Sequence, residues 1–422
     1  MNLIVGRSAL EGSIDIPASK SHTIRAVVIA SLAEGTSRIA HPLDSGDTRS
    51  AVSACRALGA DIETGEEWVI TGFAGNPRLR TSRIDVGNSG TSLRLTTSVA
   101  ALQEEEVIFD GDDSLRTRPL QPLLEALTGL GAKAYSLEGN GCCPVSVRGR
   151  MGGGTTEVSG ITSQYISSLL ISTPLLTGDT ELHVENLHEK PYVEMTLGWL
   201  DEQQIHYERE GWECFRVQGN QRYQHFDKRV PGDFSSATFP LCAAAITSSK
   251  LLLRGLTMND TQGDKAVVGM LESMGATIQI TENGVLISAS ELVGRELDLN
   301  STPDALPALA VVGCYAQGRT VLKNVAQARI KETDRIRVMA EELAKLGAKV
   351  EEMEDGLIIH QSNLSGTHVH GYHDHRVVMA LSLAGMMADG ETEIDTAESV
   401  DITFPGYVEK MARVGARMKL VE

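Results

Sequence analysis

Met274-Gly275-Ala276-Thr277-Ile278-Gln279-Ile280 closes a helical run and opens an alternating one, and its first three residues recur along the chain. An apolar residue followed by Gly-Ala also stands at Leu58-Gly59-Ala60, Leu130-Gly131-Ala132, Leu346-Gly347-Ala348 and Val414-Gly415-Ala416. Successive copies lie 72, 144, 72 and 68 residues apart; 144 is twice 72, so a degenerate copy is expected near residue 202. There Leu197-Gly198-Trp199-Leu200 runs into Gln204-Ile205-His206-Tyr207 with no glycine at the turn. A glycine just past a helix takes the left-handed conformation that closes the last turn without a Cβ penalty. Strict alternation after it reads as a strand. Most copies carry an earlier strand after a turn, as in Gly35-Thr36-Ser37-Arg38-Ile39 and Gly318-Arg319-Thr320-Val321-Leu322. The chain thus reads as six α/β units of about 70 residues, each strand, helix, strand, helix and one or two further strands. Such a unit is small for a core of its own, so the units should pack together. Pro231-Gly232, after the polar stretch Gln218 to Arg229, is the expected crossover between two domains of three units, with a ligand cleft between them.

Composition narrows the function classes. A chain of 422 residues exceeds one ordinary core, and 41% hydrophobic with 22% charged residues is a globular balance. Aromatics at 4% argue against base-stacking platforms, and a net charge of −18 repels nucleic-acid phosphates. No stretch approaches the roughly 20 apolar residues that span a bilayer, and Met1 to Arg7 lacks a signal-peptide pattern. Six cysteines without a CxxC pair read as buried free thiols, and the expected setting is the cytoplasm.

Against that acidic background, several helix starts pair small polar residues with a cation. Pro17-Ala18-Ser19-Lys20-Ser21 leads into His22 to Leu32, with Arg25 one turn after Ser21. Gly87-Asn88-Ser89-Gly90-Thr91-Ser92 opens a helix bearing Arg94, Thr162-Ser163-Gln164 opens another, and Asp374-His375-Arg376 caps Val377 to Met387. Free N–H groups at such termini attract anions, and added guanidinium forks suit carboxylate and phosphate. Ordinary capping explains any one of them; four in an acidic protein point to anionic ligands. No P-loop is present, and Gly152-Gly153-Gly154 lacks dinucleotide spacing, so ATP and NAD are not indicated. The densest charge run, Arg329 to Arg337, taken as a helix puts Lys331 and Arg335 on one face and by itself reads as a solvated surface. The histidines of His368 to His375 resemble a metallo-hydrolase motif, but the spacing is one residue too long and no later histidine completes it. No metal is expected.

Together these segments resemble the 5-enolpyruvylshikimate-3-phosphate synthases. The resemblance rests on Pro17 to Arg25, Gly87 to Arg94, Arg118-Pro119, Thr162 to Tyr165, Lys190-Pro191-Tyr192, Val230 to Ala237, Pro303-Asp304-Ala305, Arg329 to Arg335, Asp374 to Arg376 and Thr403 to Pro405, in family order. It implies an inverse α/β barrel of six βαβαββ repeats in two similar lobes: 1–19 with 231–422, and 20–230, with the active site in the cleft between them. It also implies transfer of an enolpyruvyl group from phosphoenolpyruvate to shikimate 3-phosphate, with no cofactor, no nucleic acid and no membrane. Because the fold needs no partner subunit, a monomer is expected.

Residue by residue, Asp304 resembles the general base, Glu332 the acid serving the methylene carbon, and Lys20 the lysine that binds phosphoenolpyruvate and assists proton transfer. Arg118, Arg335 and Arg376 match phosphoenolpyruvate positions, with Asn88 and Gly90 in the loop beside them. Ser21, Arg25, Thr162, Ser163, Gln164, Tyr192 and Lys331 match the shikimate 3-phosphate set. Two carboxylates acting in opposite senses need environments that separate their acidities. The chain departs from the family at Glu189, where a serine is frequent, and at Ile402, Leu95, His373 and Gln327. Glu189 puts an anion where the substrate phosphate is expected, unless it points away or pairs with Lys190. A sister family acting on a sugar nucleotide uses a cysteine ahead of Arg118, but Asp112-Asp113-Ser114-Leu115 has none. A non-catalytic module on the same fold would not need the acid, base and cation at Glu332, Asp304 and Lys20.

Overall fold

The computed structural model describes residues 1–247 and 249–422. Its backbone divides into two compact units, Lys20–Val230 and a second formed by Met1–Ser19 with Pro231–Glu422. In the latter the two segments are joined by an Ala18↔Gly232 bridge and by a hydrogen bond from Ser19 N to Pro231 O at 2.8 Å.

Among the described residues, six four-stranded sheets account for the strands, three in each unit. The sheet of Arg83–Asp85, Val107–Asp110, Lys133–Ser136 and Val145–Arg148 shows the common plan. Its first two strands run parallel, as a helical crossover requires, and the last two form an antiparallel hairpin whose second member lies centrally. The helices Gly90–Ala100 and Gln121–Gly129 fill the two crossovers, giving βαβαββ. Three sheets borrow a strand from distant sequence. Asp227–Arg229 lies parallel to Thr36–Ala40, Glu11–Asp15 lies parallel to Lys250–Arg254, and Asn2–Gly6 sits between Thr392–Ile394 and Arg417–Val421. This is an α/β fold of six repeats.

The recurring Gly-Ala acts as the pattern implies. Gly59, Gly131, Gly275, Gly347 and Gly415 all have φ between 97° and 117°, and the alanine N–H after each returns to a carbonyl five residues back. That bond is the wide one of a Schellman closure. The degenerate sixth copy is the same closure: Gln204 has φ 57°, and Ile205 N donates to Leu200 O at 2.9 Å. A side chain there pays a left-handed strain that glycine avoids. Gln204→Gly should therefore raise stability by about 1 kcal/mol, read as a higher urea midpoint. Gly415→Ala should lower it, since its Cβ would fall 2.4 Å from Ala9 O.

The core helices position the functional groups. In the first unit, Lys20–Leu32, Gly90–Ala100 and Ser163–Ser172 are buried along their whole length except at one residue each, Ser21, Thr91 and Gln164. Each exception is the second residue of its helix. Helices buried on every side must lie inside the fold, so only their N-terminal turns reach the surface. Phe234–Ile246, Leu306–Tyr315 and His375–Gly385 are the equally buried helices of the other unit.

Candidate active site

In Lys20–Val230 these helix starts are tied together. Gln164 Nε2 donates to Thr91 Oγ1 at 3.1 Å, and Arg94 Nη1 donates to Gln164 Oε1 at 2.8 Å. Lys20 Nζ lies 3.0 Å from the Asp47 carboxylate, and Asp47 O accepts from Ser92 Oγ at 2.8 Å. Arg118 donates to Asn88 O at 3.1 Å, to Asn88 Oδ1 at 2.8 Å and to Ser114 Oγ at 2.9 Å. Gly90 sits against both arginines: a Cβ there would lie 2.9 Å from Arg94 Nη1 and 3.3 Å from Arg118 Nη1. Arg25, 1% exposed, donates to Thr196 Oγ1, Ser167 Oγ and the carbonyls of Ser21 and Tyr192.

Arg25, Arg94 and Arg118 are all buried, and every acceptor they meet among the described residues is a neutral oxygen. The Nε groups of Arg94 and Arg118 meet no acceptor there at all. Burial pulls the Arg25 guanidinium down to about 10, still cationic at neutral pH. Buried charge without a counter-charge is costly, so these three guanidinia leave local positive charge suited to an anionic ligand. Gly90→Ala should push the two guanidinia apart and weaken binding of an anion beside them by about 10-fold or more, measured by titration calorimetry.

In the other unit the charges are matched. Arg335 is fully buried and holds three carboxylates: Asp304 Oδ1 at 2.7 Å, Glu332 Oε2 at 2.5 Å and Asp374 Oδ2 at 2.8 Å. Arg376 reaches Asp304 Oδ2 at 2.9 Å and Ser235 Oγ at 2.7 Å. Burial alone would raise the Asp304 carboxyl, but Arg376, Lys331 and Arg335 outweigh it and hold it well below the usual carboxylate range. Asp374 also caps the helix His375–Gly385, accepting from Arg376 N at 2.9 Å. One side chain thus fixes both the helix start and Arg335.

The run Arg329 to Arg337 is neither one helix nor a solvated face. Ala326–Ile330 is a 3₁₀ turn, Lys331 to Asp334 form a loop, and the helix begins at Arg335 because Asp334 caps it through Arg337 N. The loop is what lets Glu332 fold back onto a buried guanidinium. Glu189 neither points away nor is spent on Lys190 alone: its carboxylate, 2% exposed, accepts from Ser163 Oγ at 2.8 Å. Gln327 donates to Asn300 O at 3.0 Å, while its buried Oε1 meets no donor among the described residues. Leu95 is buried within its helix, and His373 sits exposed at φ 53°. Ile402 ends a 3₁₀ turn.

Sequence reasoning singled out Arg94 as the cation of a glycine-opened helix start without giving it a ligand, and it missed Asp47 and Ser235, the partners of Lys20 and Arg376, which carried no signal. For metals, the described residues bring one trio together, Glu181, His183 and Cys214, with ligand atoms within 4.8 Å of one another. Arg216 already holds that glutamate at 3.0 Å, which sets a fixed positive charge beside any cation. The histidines of 368–375 are engaged separately: His370 with Asp395, and His375 with Arg376 at 2.6 Å. No helix is long and apolar enough to cross a membrane among the described residues.

Six βαβαββ repeats with cations buried at helix starts define an α/β enzyme for small, multiply anionic substrates. The chain belongs to the EPSP synthase family (3-phosphoshikimate 1-carboxyvinyltransferase), whose sequence pattern matches residues 4–411. It is 52% identical to the 3-phosphoshikimate 1-carboxyvinyltransferase of Acetivibrio thermocellus over the full length of both chains. Identity to the Ruminiclostridium cellulolyticum protein of that name is 49%, again over both full lengths. The fold matches a solved EPSP synthase from Acinetobacter baumannii with a TM-score of 0.84 at 28% identity, covering all of both chains.

Proposed function

We propose that the protein transfers the enolpyruvyl group of phosphoenolpyruvate to the 5-hydroxyl of shikimate 3-phosphate and releases inorganic phosphate. The observation that carries this reading is the trio of buried guanidinia, Arg25, Arg94 and Arg118, which meets only neutral oxygens. Substrates that bring carboxylate and phosphate complete such a site.

The roles follow the resemblance to the family. Lys20, Asn88, Gly90, Arg118, Arg335 and Arg376 take phosphoenolpyruvate; Ser21, Arg25, Thr162, Ser163, Gln164, Tyr192 and Lys331 take shikimate 3-phosphate. Asp304 removes the proton of the 5-hydroxyl as its oxygen bonds to C2 of phosphoenolpyruvate, and Glu332 with Lys20 delivers a proton to C3. In the second step the C3 proton leaves, the double bond re-forms and the C2–O bond to phosphate breaks. A carboxylate gripped by Arg335 and Arg376 is a weak base. An anionic donor on those arginines diverts their charge and makes Asp304 more basic, so the base strengthens when the donor binds. Gln327, whose buried Oε1 meets no donor among the described residues, would accept there from a ring hydroxyl.

The protein acts as a monomer, which sedimentation velocity tests. Its setting is the cytoplasm, consistent with six cysteines that remain thiols. A phosphate-release assay with phosphoenolpyruvate and a panel of acceptors tests the reaction. Release is expected with shikimate 3-phosphate and not with unphosphorylated shikimate or a sugar nucleotide. Release that prefers either of the latter would overturn the reading.

A further inference from the structure

The start of the helix Ser163–Ser172 is already occupied. Glu189 Oε2 accepts from Ser163 Oγ at 2.8 Å and, at 3.4 Å each, from Ser163 N and Thr162 Oγ1. Three donors thus converge on one oxygen of a carboxylate that is 2% exposed. The hydroxyls and the N–H are the donor set that a phosphate monoester oxygen would take. Glu189 reaches them from the start of Lys190–Glu202, held at φ 55° and ψ 39°. Tyr192, one turn on, accepts from the buried Arg25 through its carbonyl. The residue that departs from the family pattern therefore supplies an anion of its own to the expected phosphate seat.

We propose that Glu189 is a resident anion at this seat: it satisfies the Thr162 and Ser163 donors in the free protein and must be displaced by the phosphate of the incoming acceptor. It thereby sets the affinity for phosphorylated acceptors and makes that affinity weaker than the donor set would give. The inference rests on the reading that Thr162 and Ser163 hold shikimate 3-phosphate. Displacement exchanges the hydrogen bonds of one carboxylate for those of one phosphate and makes or breaks no covalent bond.

Titration calorimetry with shikimate 3-phosphate on the wild type, Glu189→Gln and Glu189→Ser tests this. Removing one like charge from a buried seat should tighten binding about 10-fold or more in both variants. KM for shikimate 3-phosphate should fall while KM for phosphoenolpyruvate stays. A purely structural cap predicts the opposite, a lower melting temperature with weaker binding of the acceptor. Binding that is unchanged or weaker in both variants, with a wild type that turns over shikimate 3-phosphate, overturns the proposal. A wild type with no turnover of that acceptor contradicts the functional reading instead. Inorganic phosphate then still decides on Glu189. Millimolar phosphate should raise the melting temperature of Glu189→Ser more than that of the wild type, and equal shifts count against a resident anion.

Discussion

Asp304→Asn should fold as the wild type does and lose kcat by about 100- to 10,000-fold. The side chain bridges two guanidiniums, Arg335 at 2.7 Å and Arg376 at 2.9 Å, and an amide of the same shape keeps an oxygen for one of them. What it loses is the capacity to take a proton. Stopped-flow phosphate release measures the loss, and circular dichroism confirms that the fold is retained. Acid titration gives a second readout. Its neighbours hold Asp304 below the ordinary carboxylate range, so its stabilising effect is present above about pH 4 and disappears as pH falls through its folded value. The wild type should therefore lose stability in strong acid, and the Asn variant should lose less over the same window. A variant with wild-type turnover would remove Asp304 from the reaction.

Arg335→Met should have the larger structural effect. Arg335 has no exposed side-chain surface and touches Asp304, Glu332 and Asp374. Deleting it leaves three carboxylates facing one another in a buried place, and breaking a buried ionic network by removing one partner costs about 3–5 kcal/mol. Urea unfolding should show a midpoint well below that of the wild type, and turnover should vanish. Adding Glu332→Gln should restore part of the stability and none of the turnover, because the residual repulsion falls while the acid is lost. An Arg335→Met midpoint equal to that of the wild type would mean that the cluster contributes no stability.

The fold was readable because it is periodic. Five glycines at helix ends in near-constant register are a backbone requirement, visible in any single sequence, and even the degenerate copy was placed to within two residues at Gln204. The borrowed strands were not visible. Nothing local in Asp227-Lys228-Arg229 says that it will pair with Thr36–Ala40 almost two hundred residues earlier. In the site, residue types at helix starts identified the cations, since capping and anion binding draw on the same free N–H groups. Their partners were harder to find. Asp47 and Ser235 are ordinary residues until tertiary contacts bring them to Lys20 and Arg376. The run around Arg335 misled because i, i+4 charge spacing suggests a surface helix, whereas Asp334 starts the helix later and buries the first arginine.

Addition of an acceptor hydroxyl to phosphoenolpyruvate, followed by elimination of phosphate, is tested most directly by running the reaction in D₂O and following it by ¹H and ³¹P NMR. Protonation at C3 makes a transient methyl group whose hydrogens exchange places by rotation. Deuterium is therefore expected in the vinyl methylene of the product, with one equivalent of inorganic phosphate from phosphoenolpyruvate and the shikimate 3-phosphate ester left intact. Phosphate drawn from the shikimate ester, or a product methylene free of deuterium, would contradict it.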